Sequence, residues 1–432
     1  FPNGFKLIYE KSPGNIPVTY TRTFCNFGSA DEPNDAKGSA HFIEHMCFKG
    51  TTSIKDSMQI TQTYDKIGAY MNAMTTKLFT CYIIKCDSHY LESMVNLVSD
   101  MMLNSVFNDK ECIKEEQVVI EENSKDSDDS SEIVFVELDK IIYKGSIYEL
   151  PVDDTSYHTK RLTCTRMHEI YKLRYQPNRM VLSVVSNLPF DHVKHIVSSS
   201  LFVKTKNSVS CDLLGIANQY LPPQTDTLYN IIEKKSEKTT HLAMGFRVDE
   251  ADRHKLVLLK NIIGGSLSGR LFYILREQNG LTYSSSANLS IYIDYGDLTL
   301  YTESDSKKMM HNGKGKKGVF PLIIDMINDI VKNGVNENEV ILAKQSLEGT
   351  INTSLDDNEL KCIHNGIFGL LYPDRTICPY NKHYEKNYKN ITTDEITQVA
   401  RKYLQRRNMS VCFSGGNPPK LPEVQRLCQG MS

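Results

Sequence analysis

Hydrophobic and polar residues alternate with a period of two in FKLIYEK (from Phe5) and VTYTRTFCNFGS (from Val18), which predicts two β-strands. Between Gly38 and Phe48 the apolar spacing changes to three and four, which predicts a helix. Strands near Tyr70 and Phe79 follow, then helices, then the strand MVLSVVSN from Met180. The pattern is then written a second time. FTCYIIKCDSHYLESMVNLVSDMMLNSVFNDKECIKEEQVVIEE starts at Phe79, and LTLYTESDS starts at Leu298, leading after a Lys/Gly insert into VFPLIIDMINDIVKNGVNENEVILAKQSLEG. Each copy runs from an alternating strand to Asp-Ser, then to an amphipathic helix. A turn (Asn-Ser-Val-Phe-Asn or Asn-Gly-Val-Asn) then leads to a second helix rich in early acids. Strands interleaved with helices packed on one face predict an α+β chain of two similar sandwiches. Their join is expected in the polar, proline-containing stretch Ser208 to Thr227, giving domains at 1–210 and 211–432.

Composition narrows the classes of function without choosing one. Hydrophobic content of 40% and charged content of 24% suit a soluble globular protein, and a net charge of -2 gives no push toward nucleic acid or an anionic membrane. No run approaches the ~18 apolar residues a membrane span needs. The eleven cysteines contain no C-x-x-C pair, and Cys25, Cys81 and Cys112 lie in apolar surroundings. They are expected to be buried or free thiols in a reducing intracellular compartment, cytosol or mitochondrial matrix.

The chemistry is concentrated in HFIEH, residues 41 to 45. On a helix His41 and His45 lie one turn apart on one face, so both imidazoles can reach one ion. Glu44 borders that ion without being forced into its ligand shell, as a general base for water activation requires. With twelve histidines in 432 residues, a chance H-x-x-E-H is expected in about one chain in fifty. A third ligand must come from elsewhere, and the helix KECIKEEQVVIEENSK offers Glu115 and Glu122, two turns apart on one face. One ligand plus one carboxylate orienting a ligand imidazole is the natural division between them.

The runs GSAHFIEHMCFKGT and EEQVVIEE, with 76 residues between His45 and Glu122, resemble the pitrilysin family of inverted-motif zinc metallopeptidases. That family includes insulin-degrading enzyme, mitochondrial processing peptidase and bacterial relatives. The resemblance implies one Zn2+ per chain, with His41, His45 and Glu122 as ligands, Glu44 as base and Glu115 as the supporting carboxylate. Glu121, beside Glu122, points about 100° away on a helix. GAYMNAMTTKLFTCY resembles the family's substrate-binding edge strand, with Asn72 and Ala73 at the positions that clasp the substrate backbone. In the second copy Ala343 and Thr350 stand opposite Glu115 and Glu122, and no H-x-x-E-H occurs. That copy carries GGSLSGRLFYILREQNGLTY, which resembles the family's glycine-rich and Arg/Tyr segments. Arg276 and Tyr283 match residues that bind substrate and stabilise the oxyanion from across a chamber.

The length matches the half-sized members, similar to the catalytic subunit of the processing peptidase and to bacterial homodimeric peptidases. EIVFVELDKIIY matches the helix on which the processing peptidase reads an arginine with two acids four apart. Glu132 occupies the first acid position, so the resemblance implies that it binds substrate, while Val136 at the second departs from the pattern that reads an arginine. The implied function is a zinc endopeptidase acting on unfolded peptides or flexible termini in a chamber between two homologous halves. In that arrangement 1–210 bears the zinc and 211–432 supplies substrate and oxyanion contacts. Expected partners are peptide substrates, with a homodimer or a heterodimer with a related non-catalytic subunit. The alternative is a non-catalytic partner subunit, but such relatives lose the metal residues and all four are present here.

Overall fold

The computed structural model describes residues 1–126, 129–152, 163–208, 221, 223–313 and 315–431, so most of the expected join lies outside the described residues. Two five-stranded mixed sheets organise the chain. The first has the order β1-β5-β2-β4-β3, from β1 (Lys6–Lys11), β2 (Val18–Cys25), β3 (Tyr70–Thr75), β4 (Thr80–Asp87) and β5 (Met180–Ser186). The second has the order β6-β10-β7-β9-β8, from β6 (Leu228–Glu233), β7 (Thr239–Asp249), β8 (Ser285–Ile291), β9 (Tyr295–Asp305) and β10 (Met409–Gly415). In each sheet the β1–β5 or β6–β10 pair is parallel and the other three pairs are antiparallel. The two orders are identical once equivalent strands are matched, so the repeat seen in the sequence is a repeat of topology.

The repeat extends to single hydrogen bonds. Asp87 and Asp305 each end a strand and accept the backbone N–H two residues on, from His89 and Lys307. The following serines, Ser88 and Ser306, each sit 2.8 Å from a threonine hydroxyl of the strand two places earlier in the copy, Thr19 and Thr240. The Asp-Ser pair is therefore a strand-to-helix corner built the same way twice.

Among the helices of the described residues, eight bear on the site and the scaffold around it: α1 (Ser39–Met46), α2 (Leu91–Leu103), α3 (Asp109–Asp126), α4 (Ser130–Ile142), α5 (Cys164–Arg174), α6 (Val319–Asn333), α7 (Glu337–Thr353) and α8 (Asn358–Leu371). Helix α2 buries Leu91, Met94, Val95, Val98, Met101 and Met102 against one face of the first sheet, each contributing about 1.5–3 kcal/mol. Helix α6 does the same on the second sheet with Phe320, Ile323, Ile324, Ile327 and Ile330.

The chain condenses into two compact units that are not continuous stretches: 1–124 with 150–217 and 353–381, and 125–149 with 218–352 and 382–432. Helix α4 thus packs on β10, β7 and β6 of the second sheet, and α8 packs on β5, β2 and β1 of the first. A cut near residue 210 leaves each sheet without one of its covering helices. Glycines allow both to come close. A Cβ on Gly366 of α8 would lie 2.0 Å from the Phe24 ring, and one on Gly245 of β7 would lie 2.3 Å from Ile142 of α4.

The expectation of unpaired thiols holds for eight buried cysteines and fails at Cys112, which is disulfide-bonded to Cys164. Cys112 on α3 and Cys164 on α5 have Cα atoms 5.9 Å apart, within disulfide reach. They are 52 residues apart in the chain, and no spacing motif marks them as partners.

Candidate metal centre

Three faces of α1 are used at once. Ala40, Ile43 and Cys47 enter the core of the first unit. Phe42 and Met46 pack with Cys112 and Val119 of α3 and Met167 of α5. His41 and His45 occupy the third face, with their Nε2 atoms 3.0 Å apart. Gly38, the residue before the helix, adopts a left-handed conformation at φ 79° and has no side chain to cap the exposed N–H groups. The buried carboxylate of Glu32 does this instead, accepting from Gly38 N at 2.8 Å and Ala40 N at 2.7 Å. A negative charge there also suits the helix dipole.

Helix α3 presents Cys112, Glu115, Val119 and Glu122 along one stripe, spaced three, four and three. The stripe lies against α1, and the two glutamates flank His45 from opposite sides. Glu115 Oε1 is 2.8 Å from His45 Nδ1, and Glu122 Oε2 is 3.7 Å from His45 Nε2. Ligand atoms of His41, His45 and Glu122 lie within 4.8 Å of one another, forming the one such group among the described residues that could hold a metal ion. Glu121 stays off the stripe and exposed. Glu115 is buried and paired through its other oxygen with Lys49 Nζ at 2.5 Å. Its bond to Nδ1 fixes the ring of His45 with Nε2 toward His41 and Glu122.

Electrostatics agree with a cation site. Burial acts to lower the His45 pKa, but the hydrogen bond to Glu115 and the charges of Glu115, Glu44 and Glu122 raise it overall. Burial acts to raise Glu115, yet its bonds to His45 and Lys49 bring it below the ordinary carboxylate range. Burial raises Glu44, partly offset by a hydrogen bond from Thr75 and by His45. Carboxylates that favour a positive charge on His45 also favour a divalent ion between the two imidazoles. Two nitrogens and a carboxylate oxygen suit zinc, and three protein ligands leave a position for water or substrate.

The remaining expected residues are divided between the two units. Asn72 and Ala73 lie on β3, the edge strand of the first sheet. The Ala73 N–H is held by Asn72 Oδ1 at 2.9 Å. Glu132 lies exposed in the first turn of α4, which belongs to the second unit. Arg276 and Tyr283 are also in the second unit and meet there. Arg276 donates to the Tyr283 carbonyl at 3.0 Å and stacks over its ring at 4.9 Å, leaving Tyr283 79% exposed. At the positions matching Glu115 and Glu122, Ala343 is buried and Thr350 donates back to Ser346 of its own helix.

Sequence reasoning missed three residues that touch this machinery: Glu32, Lys49 and Thr75. Two carried a signal. Lys49 stands four residues after His45, just past the end of α1, and Thr75 shares its strand face with Met71 and Ala73 by the period of two. Glu32 carried none, since the N–H groups it caps belong to the backbone.

Glu115→Gln should weaken zinc binding about 10- to 100-fold, because the amide leaves Lys49 without its counter-charge and can no longer hold His45 as a carboxylate does. Competition with a chelator measures it. If Glu115→Gln abolishes binding while Glu122→Gln is tolerated, the two carboxylates have exchanged roles.

Comparison with known proteins places these features in a family. Residues 10–156 match the family described as Insulinase (Peptidase family M16), and residues 161–347 match the Peptidase M16 inactive domain. The chain belongs to peptidase family M16, as a half-sized member with two homologous domains. A Bacillus subtilis protein named uncharacterized zinc protease YmxG is 28% identical over 367 residues, covering 84% of this chain and 85% of its own length. A Rickettsia felis protein, also named an uncharacterized zinc protease, is 29% identical over 414 residues, 93% of each chain. The crystal structure of a protease from Helicobacter pylori shares the fold with a TM-score of 0.85 at 19% identity, covering 96% of this chain and 97% of its own. No helix among the described residues is long and apolar enough to cross a membrane.

Proposed function

We propose that this protein is a zinc-dependent endopeptidase that hydrolyses unfolded peptides or flexible protein termini. The observation that carries the reading is the convergence of His41, His45 and Glu122 beside the buried carboxylate of Glu44. Zinc held by these three residues would polarise the scissile carbonyl and acidify water. Glu44 takes a proton from the attacking water and passes it to the leaving amine. The open edge of β3 lays the substrate out by main-chain pairing near Asn72 and Ala73, which selects extended peptides and leaves folded proteins out.

Support for the reading also comes from relatives named zinc proteases and from retention of the whole H-x-x-E-H and distal Glu set. From the family's Arg/Tyr segment that they resemble, Arg276 and Tyr283 are proposed to bind substrate, with the Tyr283 hydroxyl stabilising charge that develops in the transition state. Elemental analysis and a quenched-peptide assay on the full chain test the proposal, with one zinc per chain and peptide cleavage expected. Tyr283→Phe should then lower turnover about 10- to 1,000-fold at unchanged zinc content, since a donor aimed at the oxyanion acts on the chemical step. Unchanged turnover in that variant would remove Tyr283 from the mechanism. Full zinc occupancy without any peptide cleavage would leave the partner-subunit role as the better account.

A further inference from the structure

The Glu44 carboxylate has one hydrogen-bond partner among the described residues. The Thr75 hydroxyl sits 2.5 Å from Oε2, while Oε1 carries no such bond. We propose that Thr75 is a positioning residue for the base: its hydroxyl fixes the carboxylate through Oε2 and presents Oε1 to the water that attacks. The inference rests on the peptidase reading and adds an atom-level account of how the base is held.

The neighbouring hydroxyl of Thr80 fixes the direction of that bond. Thr80 Oγ1 donates its single proton to the Phe27 carbonyl at 2.9 Å. It can therefore only accept from Thr75, whose oxygen is 3.4 Å away. A carboxylate at 2.5 Å is the stronger acceptor, so the Thr75 proton goes to Glu44. Glu44 Oε2 is then occupied, and Oε1 is the oxygen left for a proton.

The hydroxyl is held by backbone that also holds the metal helix. Thr75 ends β3 and pairs across the ladder with Thr80. The turn after it is closed by Thr76 N to Phe79 O at 2.8 Å. Ser29 N and Ala30 N donate to the carbonyls of Thr76 and Lys77 at 3.1 and 2.9 Å. Gly28 lies so close that a Cβ there would sit 2.4 Å from the Thr76 carbonyl oxygen. The same short loop continues to Glu32, which grips the first N–H groups of α1. One segment, Gly28 to Glu32, thus sets the hairpin that carries Thr75 and the helix that carries Glu44. Asp31 within it is anchored by Arg179 at 2.5 Å and Arg174 at 3.2 Å. The strand proposed to hold substrate along its edge therefore also holds the base from its end.

The test uses the full-length, zinc-loaded protein with Thr75→Val, Thr75→Ser and the double variant Thr75→Val/Glu44→Gln. Thr75→Val keeps the shape and removes the proton. It should lower kcat about 10- to 100-fold, as misplacement of a reacting group does, with KM within about twofold and zinc content unchanged. Thr75→Ser should return to within about threefold of the parent, which a packing role for the methyl group would not allow. The double variant should be no slower than Glu44→Gln alone, because the hydroxyl acts only through that carboxylate. Unchanged kcat in Thr75→Val, a serine variant as slow as the valine one, a loss confined to KM, or multiplying losses in the double variant would each overturn the proposal. Should the parent protein cleave nothing, the peptidase reading fails. The same three variants and Glu44→Gln in urea unfolding then decide the contact, and additive midpoint shifts for positions 44 and 75 would refute it.

Discussion

Replacing Glu44 by Gln is expected to leave zinc bound and to lower turnover by about two to four orders of magnitude, the largest loss any single side chain in this site should produce without removing the metal. The substitution preserves volume in a buried position, and the amide oxygen can still accept from the Thr75 hydroxyl. The amide cannot take up a proton at catalytic pH, so the acid–base step is lost while the scaffold stays. Glu44 is outside the group of ligand atoms formed by His41, His45 and Glu122, so metal content should match the parent. Elemental analysis together with kcat on a quenched peptide checks both halves of this expectation. Activity within about threefold of the parent would dismiss Glu44 as the base. Loss of zinc would instead make it a ligand.

That site was legible because its pieces are periodic. His41 and His45 recur at one helical turn, and Cys112, Glu115, Val119 and Glu122 recur at three and four. The spacing alone left open which glutamate is the ligand. The packing of α3 answers the geometric part: the stripe lies along α1, so Glu115 reaches Nδ1 and Glu122 reaches the Nε2 side of one imidazole. Thr75, Glu32 and Lys49 are harder to read, because each acts as a single polar residue across a turn or between elements. What makes Thr75 a partner for Glu44 is the register of β3 with β4 and the hold of Ser29 and Ala30 on the hairpin. Neither leaves a mark in local composition.

The fold shows the same division. Both copies of the strand–corner–helix pattern, and the strands FKLIYEK and MVLSVVSN, became elements where the alternation placed them. The exchange of α4 and α8 between units could not be read, since an amphipathic helix advertises an apolar face and not the sheet that will cover it. Both helices follow the repeat's acid-rich second helix, α3 or α7, at equivalent points of the two copies. The exchange is therefore as symmetric as the sheets themselves.

The exchange sets the outcome for a chain cut at the apparent midpoint. A fragment of residues 1–210 retains His41, Glu44, His45 and Glu122 but lacks α8, and it is expected not to fold cooperatively and to hold zinc poorly. Helix α8 covers the face of the first sheet opposite α2. On that face Phe24, Val181 and Val185 are at most 2% exposed although none belongs to the core beneath α2. Gly366 meets Phe24, Gly369 meets Ile8, and Cys362 donates to the Ser183 carbonyl at 3.2 Å. Polar partners leave with the helix as well: Glu359 pairs with the buried Arg22 at 2.5 Å, and Asn365 donates to Glu10 at 2.8 Å. Uncovering three apolar side chains costs about 1.5–3 kcal/mol each, and stranding Arg22 adds to that. The total is comparable to the roughly 5–15 kcal/mol that holds a domain together. An exposed apolar sheet face also invites association. Urea unfolding, zinc titration and light scattering on the fragment check this, and adding a peptide of residues 358–371 should restore part of the zinc affinity. A monomeric fragment that unfolds in one sharp transition and binds one zinc as tightly as the whole chain would show that α8 is dispensable to the metal centre.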